Sequence, residues 1–225
     1  LSGNWTEEEL RATVAAYMEM RSKELNGIPF VKKHHYAELA NQFGRTEKAF
    51  EYRMQNISYI CSLMGLAWIS GLKPAKNVGP HNAPIIERLI CELDGQPYTG
   101  RAEFEHRVIR YKTKPALPMP EGIQEPTQSY ATTTSYVRDP QVKAWVLMMA
   151  AQKCEGCGNL APFITATGEP FLEVHHLRTL AEGGSDRVSN TVALCPNCHR
   201  ELHYGANKVQ KREALYQQLP RLVRE

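Results

Sequence analysis

Cys154-Glu155-Gly156-Cys157 and Cys195-Pro196-Asn197-Cys198 stand on either side of Glu173-Val174-His175-His176. The second pair runs on into His199-Arg200-Glu201-Leu202-His203. Each Cys-x-x-Cys pair offers two sulfurs from one tight turn, so Cys154, Cys157, Cys195 and Cys198 together suit a single tetrahedral structural Zn2+. The histidines are surplus to that site. A zinc-stapled scaffold with spare imidazoles is built to hold a second, catalytic metal.

Working outward, residues 163–172 carry two β-prone stretches around Thr167-Gly168, a hairpin signal. Residues 171–175 read as a strand, 181–186 as a glycine-rich loop, and 191–194 as a second strand. Residues 196–204 read as a helix opened by a proline. Upstream, the apolar run at 142–152 predicts a helix packed on the zinc domain.

The segment from Glu173 to His203 resembles the ββα-metal fold of HNH endonucleases, with His175-His176, Asn190 and His199 as the signature. A longer stretch, 136–219, is similar to the nuclease half of McrA-type, modified-cytosine-dependent restriction endonucleases. That likeness rests on Ala161-Pro162-Phe163, Leu172-Glu173-Val174-His175-His176 and the run from Val192 to Tyr204, besides the first cysteine pair. It implies phosphodiester hydrolysis in double-stranded DNA, with a divalent catalytic metal such as Mg2+ or Mn2+, and dependence on modified cytosine. The amino-terminal region does not look like the McrA reader domain.

Phosphodiester hydrolysis needs an activated water, charge relief on the phosphate and help for the departing 3′ oxygen. A neutral imidazole is a suitable base near physiological pH, a role assigned to His176. Successive strand residues face opposite sides, so the adjacent His175 takes a different role, that of metal ligand. His199 and His203 lie four apart on a helix and share one face. With His175 they form a three-imidazole site. Asn190 is expected to tie the Gly183-Gly184 loop to the strand pair, and Arg200 to reach a neighbouring phosphate.

The first 94 residues read as helical. Thr6 caps a helix whose first turn holds Glu7, Glu8 and Glu9, where the helix dipole favours negative charge. Gly27 and Pro29 end it. Further helices are expected at 32–42, 46–64 and 84–93, with a short strand at 65–69. Ala40-x-x-x-Gly44 resembles the centre of a helix-turn-helix, and the helix after it is assigned to DNA through Arg45, Lys48, Arg53 and Asn56. Phe50, Tyr52, Tyr59 and Trp68 are candidates for a pocket but fit a core better. Residues 95–136 loosen into a proline-rich linker ending in Thr132-Thr133-Thr134-Ser135, with one basic helix at 101–111.

The expected architecture is therefore α+β: a helical DNA-binding domain (1–94), a linker (95–136) and a zinc-stapled ββα-metal nuclease domain (137–225). A net charge of +3 does not announce nucleic acid by itself, so binding needs local clusters. The candidates are Arg107/Arg110/Lys112/Lys114 and Lys208/Lys211/Arg212. No apolar run approaches membrane-spanning length and no signal peptide is visible, which excludes a membrane role and points to a bacterial cytoplasm. Cys61 and Cys91 read as small buried hydrophobes, and His34, His35, His81 and His106 as surface residues. One such site cuts one strand, so a homodimer is the expected working form. The rival readings are a methylation-independent nicking, homing or repair nuclease, and a non-catalytic zinc-ribbon DNA-binding module.

Overall fold

The computed structural model describes residues 4–126 and 136–225. Thr132–Ser135, assigned above to the linker, falls outside them. The chain divides into two compact units, Leu1–Thr134 and Ser135–Glu225, and its class is α+β.

The first unit is a helical assembly: α1 (Glu7–Leu25), α2 (Lys32–Phe43), α3 (Glu47–Met64), α4 (Asn82–Leu93) and α5 (Arg101–Lys112). Thr6 and Glu9 form a capping box at the start of α1, each side chain taking the other's backbone N–H. Gly44 closes α2 in the left-handed region (φ 71°), which lets the chain turn sharply into α3. Leu10, Tyr17, Phe50, Ile57, Ile86 and Ile90 lie in a core where α3 is central. Segment 65–69 is not a strand. Its backbone is held by side chains instead: Arg21 Nε donates to the Ala67 carbonyl at 2.8 Å, and the Ile69 N–H donates to Tyr17 Oη at 3.2 Å. With no neighbouring strand, these groups do what a ladder would have done.

The helix expected within the linker is α5, and it packs against α3 and α4 with Ala102 and His106 buried. His106 is thus a core residue rather than a surface one, 3.4 Å from Tyr59 Oη, and burial lowers its pKa. Cys61 and Cys91 are both buried. Phe50 and Tyr59 are core as well, Trp68 packs against that core, and Tyr52 is exposed.

Glu9 has a second task. Its carboxylate accepts from Arg45 Nε at 2.6 Å, and both side chains are about nine-tenths buried. Arg45 also stacks on Trp5, its guanidinium carbon 4.6 Å from the ring centroid. The Arg45 hydrogen bond holds the Glu9 carboxyl below the ordinary value of 4.5. Stability from this contact is therefore fully present above 4.5 and is lost as pH falls through the lower folded value. Glu9→Ala should cost about 2–3 kcal/mol, because it strands a buried guanidinium. Thermal melts of parent and variant should converge in acid, and a gap that persists there would refute the assignment.

The second unit begins with α6 (Pro140–Met149), capped by Asp139. Two antiparallel strands follow, β1 (Glu173–His176) and β2 (Thr191–Leu194), with His175 opposite Val192 and His176 opposite Thr191. A short 3-10 turn (Leu180–Glu182) lies between them, and α7 (Pro196–Tyr204) and α8 (Lys208–Gln218) complete the unit. The hairpin expected at 163–172 is reduced to a single bridge, Ile164 to Pro170. Pro170 has no N–H to extend a ladder. Val146, Leu172, Leu177, Val192, Leu194 and Leu215 form the core beneath the strands.

Candidate active site and metal centres

Cys154 and Cys157 sit on the turn after α6, Cys195 caps α7 and Cys198 lies in its first turn. Their four sulfurs all lie within 4.8 Å of one another. A tetrahedral zinc with Zn–S bonds near 2.3 Å asks for sulfurs about 3.8 Å apart, and that spacing falls inside this limit. The local chemistry fits. Burial raises the Cys154 pKa, but backbone N–H groups of Cys195, Gly156 and Cys157 outweigh it and bring the thiol down to about 7. Burial and the neighbouring thiols push Cys198 up. Four packed thiols cannot all ionise beside one another, and a bound cation removes that conflict. Space is tight at Gly156: a Cβ would lie 3.0 Å from Leu194 Cδ2 and 3.2 Å from the Cys198 Cβ, so a side chain there would press on the cysteine cluster.

The second cluster is His175, His199 and His203, whose candidate ligand nitrogens also lie within 4.8 Å of one another. β1 supplies His175, buried at 7% exposure, and α7 supplies the other two at i and i+4. His199 Nδ1 lies 2.7 Å from Glu173 Oε2, which holds the ring with Nε2 turned away from the carboxylate. That Nε2 is 3.2 Å from His203 Nε2. Two neutral imidazoles can share one proton across such a gap, but a cation serves both lone pairs. Burial first, then His203 and His199, push His175 down to about 3, so it remains a neutral donor at physiological pH.

His176 goes elsewhere. Strand alternation carries it away from the three-imidazole cluster, and its Nε2 lies 2.7 Å from Asp186 Oδ1. The other Asp186 oxygen accepts the Asp139 N–H at 2.6 Å. Asn190, at the end of the same loop, is completely buried. Its amide donates to the carbonyls of Arg178 (2.9 Å) and Ser185 (2.8 Å), and its Oδ1 accepts the Arg178 N–H at 2.9 Å. These bonds fasten the loop that carries Asp186 to the end of β1. Gly184 makes this close approach possible, since a Cβ there would fall 2.0 Å from the Arg178 carbonyl oxygen.

Sequence reasoning overlooked Glu173 and Asp186. A signal existed for the first: Glu173 lies two residues before His175, on the same face of a strand. Asp186 sits ten residues from His176 in an irregular loop, where spacing says nothing about which side chain returns.

The residues assigned to DNA on the amino-terminal side fare differently. Arg53 and Asn56 are buried, not presented to solvent. Arg53 stacks under Trp5 and donates to the Val78 carbonyl, while Asn56 Nδ2 donates to Ala75 O at 2.8 Å. Arg45 is engaged by Glu9. Lys48 is exposed and pairs with Glu51, and Arg200 is exposed on α7. The reason is the position of α3: it is the central helix of its unit, so Arg53 and Asn56 on its inner side satisfy backbone carbonyls. Of the second basic cluster, Lys211 pairs with Glu201 and Lys208 Nζ reaches the His203 carbonyl, which leaves Arg212 as the charge that bears on His175.

Two antiparallel strands and a helix around three imidazoles, with a fourth imidazole set apart on a carboxylate, form a ββα-metal arrangement. Residues 154–205 match the HNH endonuclease family, so the second unit carries an HNH endonuclease domain. The chain is 45% identical over 140 residues to the type IV methyl-directed restriction enzyme EcoKMcrA of Escherichia coli (strain K12). That match takes in 62% of this chain and 50% of the relative, so the chain spans half the relative's length. A 35-residue stretch is 46% identical to a Nostoc sp. protein called Anaredoxin, covering 16% of this chain and 46% of that one. Among solved structures, the type IV phosphorothioation-dependent restriction endonuclease ScoMcrA matches at 42% identity with a TM-score of 0.36, over 38% of this chain and 18% of that chain.

Proposed function

We propose that this chain is a metal-dependent endonuclease of a bacterial restriction system, hydrolysing phosphodiester bonds in cytosine-methylated double-stranded DNA. The observation that carries the reading is the divergence of two adjacent imidazoles on β1, His175 into a three-histidine cluster and His176 onto Asp186. A binding module has no use for that separation. The methyl-directed activity named for the Escherichia coli relative supports a methylated substrate.

In this reading Cys154, Cys157, Cys195 and Cys198 hold a structural Zn2+, and His175, His199 and His203 hold a divalent ion such as Mg2+ or Mn2+. When bound, that ion supplies Lewis acidity to a phosphate oxygen and stabilises the leaving 3′ oxygen. Asp186 accepts a proton-bearing Nε2 of His176, which leaves Nδ1 as the lone pair. Nδ1 takes a proton from water, the resulting hydroxide attacks phosphorus, and the bond to the 3′ oxygen breaks. Glu173 fixes the His199 ring, Asn190 fixes the loop that presents Asp186, and Arg200 approaches a flanking phosphate. One site cuts one strand, so double-strand cleavage calls for two chains.

The deciding assay is cleavage of matched plasmids, unmodified and cytosine-methylated, with Mg2+ or Mn2+ and a chelator control. Cutting confined to methylated plasmid is expected. Equal cutting of both would retain the nuclease and reject modification dependence, and no cutting with either metal would favour a binding module. Asp186→Asn should lower kcat by about 10–100-fold with KM little changed, since it weakens the orientation of the base rather than substrate binding. A wild-type kcat in that variant would remove Asp186 from the mechanism.

A further inference from the structure

The outer face of α5 is open to solvent. Ala102 and His106 turn into the helical core, and Ile109 packs against it. On the opposite side, at spacings of three and four, come Phe104, Arg107, Tyr111 and then Lys114 just beyond the helix. Phe104 is 64% and Tyr111 44% exposed, a large apolar area to leave in water on a short helix. Arg107, Arg110, Lys112 and Lys114 are exposed as well, and none of the four has an ion-pair partner among the described residues.

Charge is concentrated here. Residues 101–114 hold five cations (Arg101, Arg107, Arg110, Lys112, Lys114) against Glu103 and Glu105, a net of +3, which equals the net charge of the entire chain. Glu103 is turned aside, accepting from Tyr98 Oη at 3.2 Å. Arg107, Arg110, Tyr111, Thr113 and Lys114 line a cleft of about 350 Å3. The Lys114 ammonium is held 4.8 Å from the centroid of the Tyr111 ring. Cations repeated along a helix complement a regular row of anions. At 1.5 Å per residue the cations from Arg107 to Lys114 span about 10 Å, enough to reach neighbouring phosphates of one strand.

We propose that the outer face of α5 is a docking surface for the phosphate backbone of duplex DNA, with Arg107, Arg110 and Lys114 as its phosphate contacts. The proposal rests on the reading of this chain as a DNA endonuclease and adds the surface that captures the substrate without regard to sequence or methylation.

The test compares the full chain with its Arg107→Ala/Arg110→Ala/Lys114→Ala variant. Fluorescence anisotropy of a short duplex, methylated or not, is read over a range of salt without added divalent metal. Affinity should fall at least about 10-fold at low salt, equally on both duplexes, and the slope of log K against log salt should become shallower by about three. Under turnover conditions KM rises while kcat at saturating DNA is unchanged. An unchanged affinity and slope would overturn the proposal, as would a loss confined to methylated duplex. An Arg107→Lys/Arg110→Lys variant separates charge from fold, because it must retain the parent's salt slope; a lost slope in that variant also overturns the proposal. The two readings fail separately. Salt-dependent binding through α5 without cleavage under any metal would reject the nuclease and leave the docking face, whereas cleavage by the triple variant with unchanged KM would do the reverse.

Discussion

His176→Ala should cut the rate of DNA cleavage by about 10²–10⁴-fold while zinc content, folding and duplex affinity stay at parental values. The magnitude follows from the proposed role: removing a general base would leave the metal ligands and the phosphate contacts intact, so only the deprotonation of water would be lost. His176 is 6% exposed and bonded to Asp186 in a different direction from the His175 cluster. Its truncation therefore does not disturb the second set of ligands. The comparison that makes the result specific is His199→Ala. This variant should also abolish cleavage, but by lowering metal affinity, so raising the Mn2+ concentration should restore part of its activity. Raising the metal should do nothing for His176→Ala. If instead the His176 variant keeps cutting at the parental rate, the base is another group and the division of labour along β1 is wrong.

Cys195→Ser should have the larger structural effect. The unit from Ser135 to Glu225 has two four-residue strands and a modest core, and the four thiols clamp the turn after α6 to the start of α7. A structural zinc in such a site contributes about 10–16 kcal/mol of apparent binding free energy, which appears as folding free energy. Loss of one ligand should therefore leave this unit without metal and protease-sensitive, with cleavage abolished. The helical unit has its own core, with Leu10, Val14, Phe50 and Ile57 fully buried, and should still melt cooperatively. Cys61→Ala is the control: Cys61 is buried in that helical core, far in chemistry from the clamp, and its loss should leave zinc content unchanged. A Cys195→Ser chain that stays protease-resistant with no bound metal would show that the core alone holds this unit.

Much of this protein is legible without coordinates because its decisive residues are local in sequence. The two cysteine pairs each close within a single turn. His199 and His203 share a helix face by their spacing, and His175 and His176 separate by strand alternation. The capping box at Thr6 and Glu9 and the left-handed Gly44 are equally local, depending only on residues three or four apart. Such features follow from backbone geometry, so a short stretch of sequence contains the whole argument.

What depended on the tertiary structure is of two kinds. The first is the return of side chains over irregular loops: Asp186 to His176, and the choice of Arg178 and Ser185 as the backbone partners of Asn190, whose tie to this loop is already expected from the sequence. No periodicity governs those contacts, since the loop is irregular and its course is set by a glycine that admits a carbonyl where a Cβ could not go. The second is which face of a helix meets solvent. Arg53 and Asn56 have the chemistry of DNA contacts, yet α3 is surrounded by α1, α2, α4 and α5, and both residues spend their hydrogen bonds on carbonyls inside. Composition marks a helix at 101–111 as a basic element of the linker, whereas packing of Ala102 and His106 draws it into the helical unit and turns its cations outward. Residue type and spacing thus determine the four-thiol cluster, the three-imidazole cluster and the imidazole pair. Burial depends on every other helix in the unit, so only the assembled fold decides which cations are free to meet a phosphate.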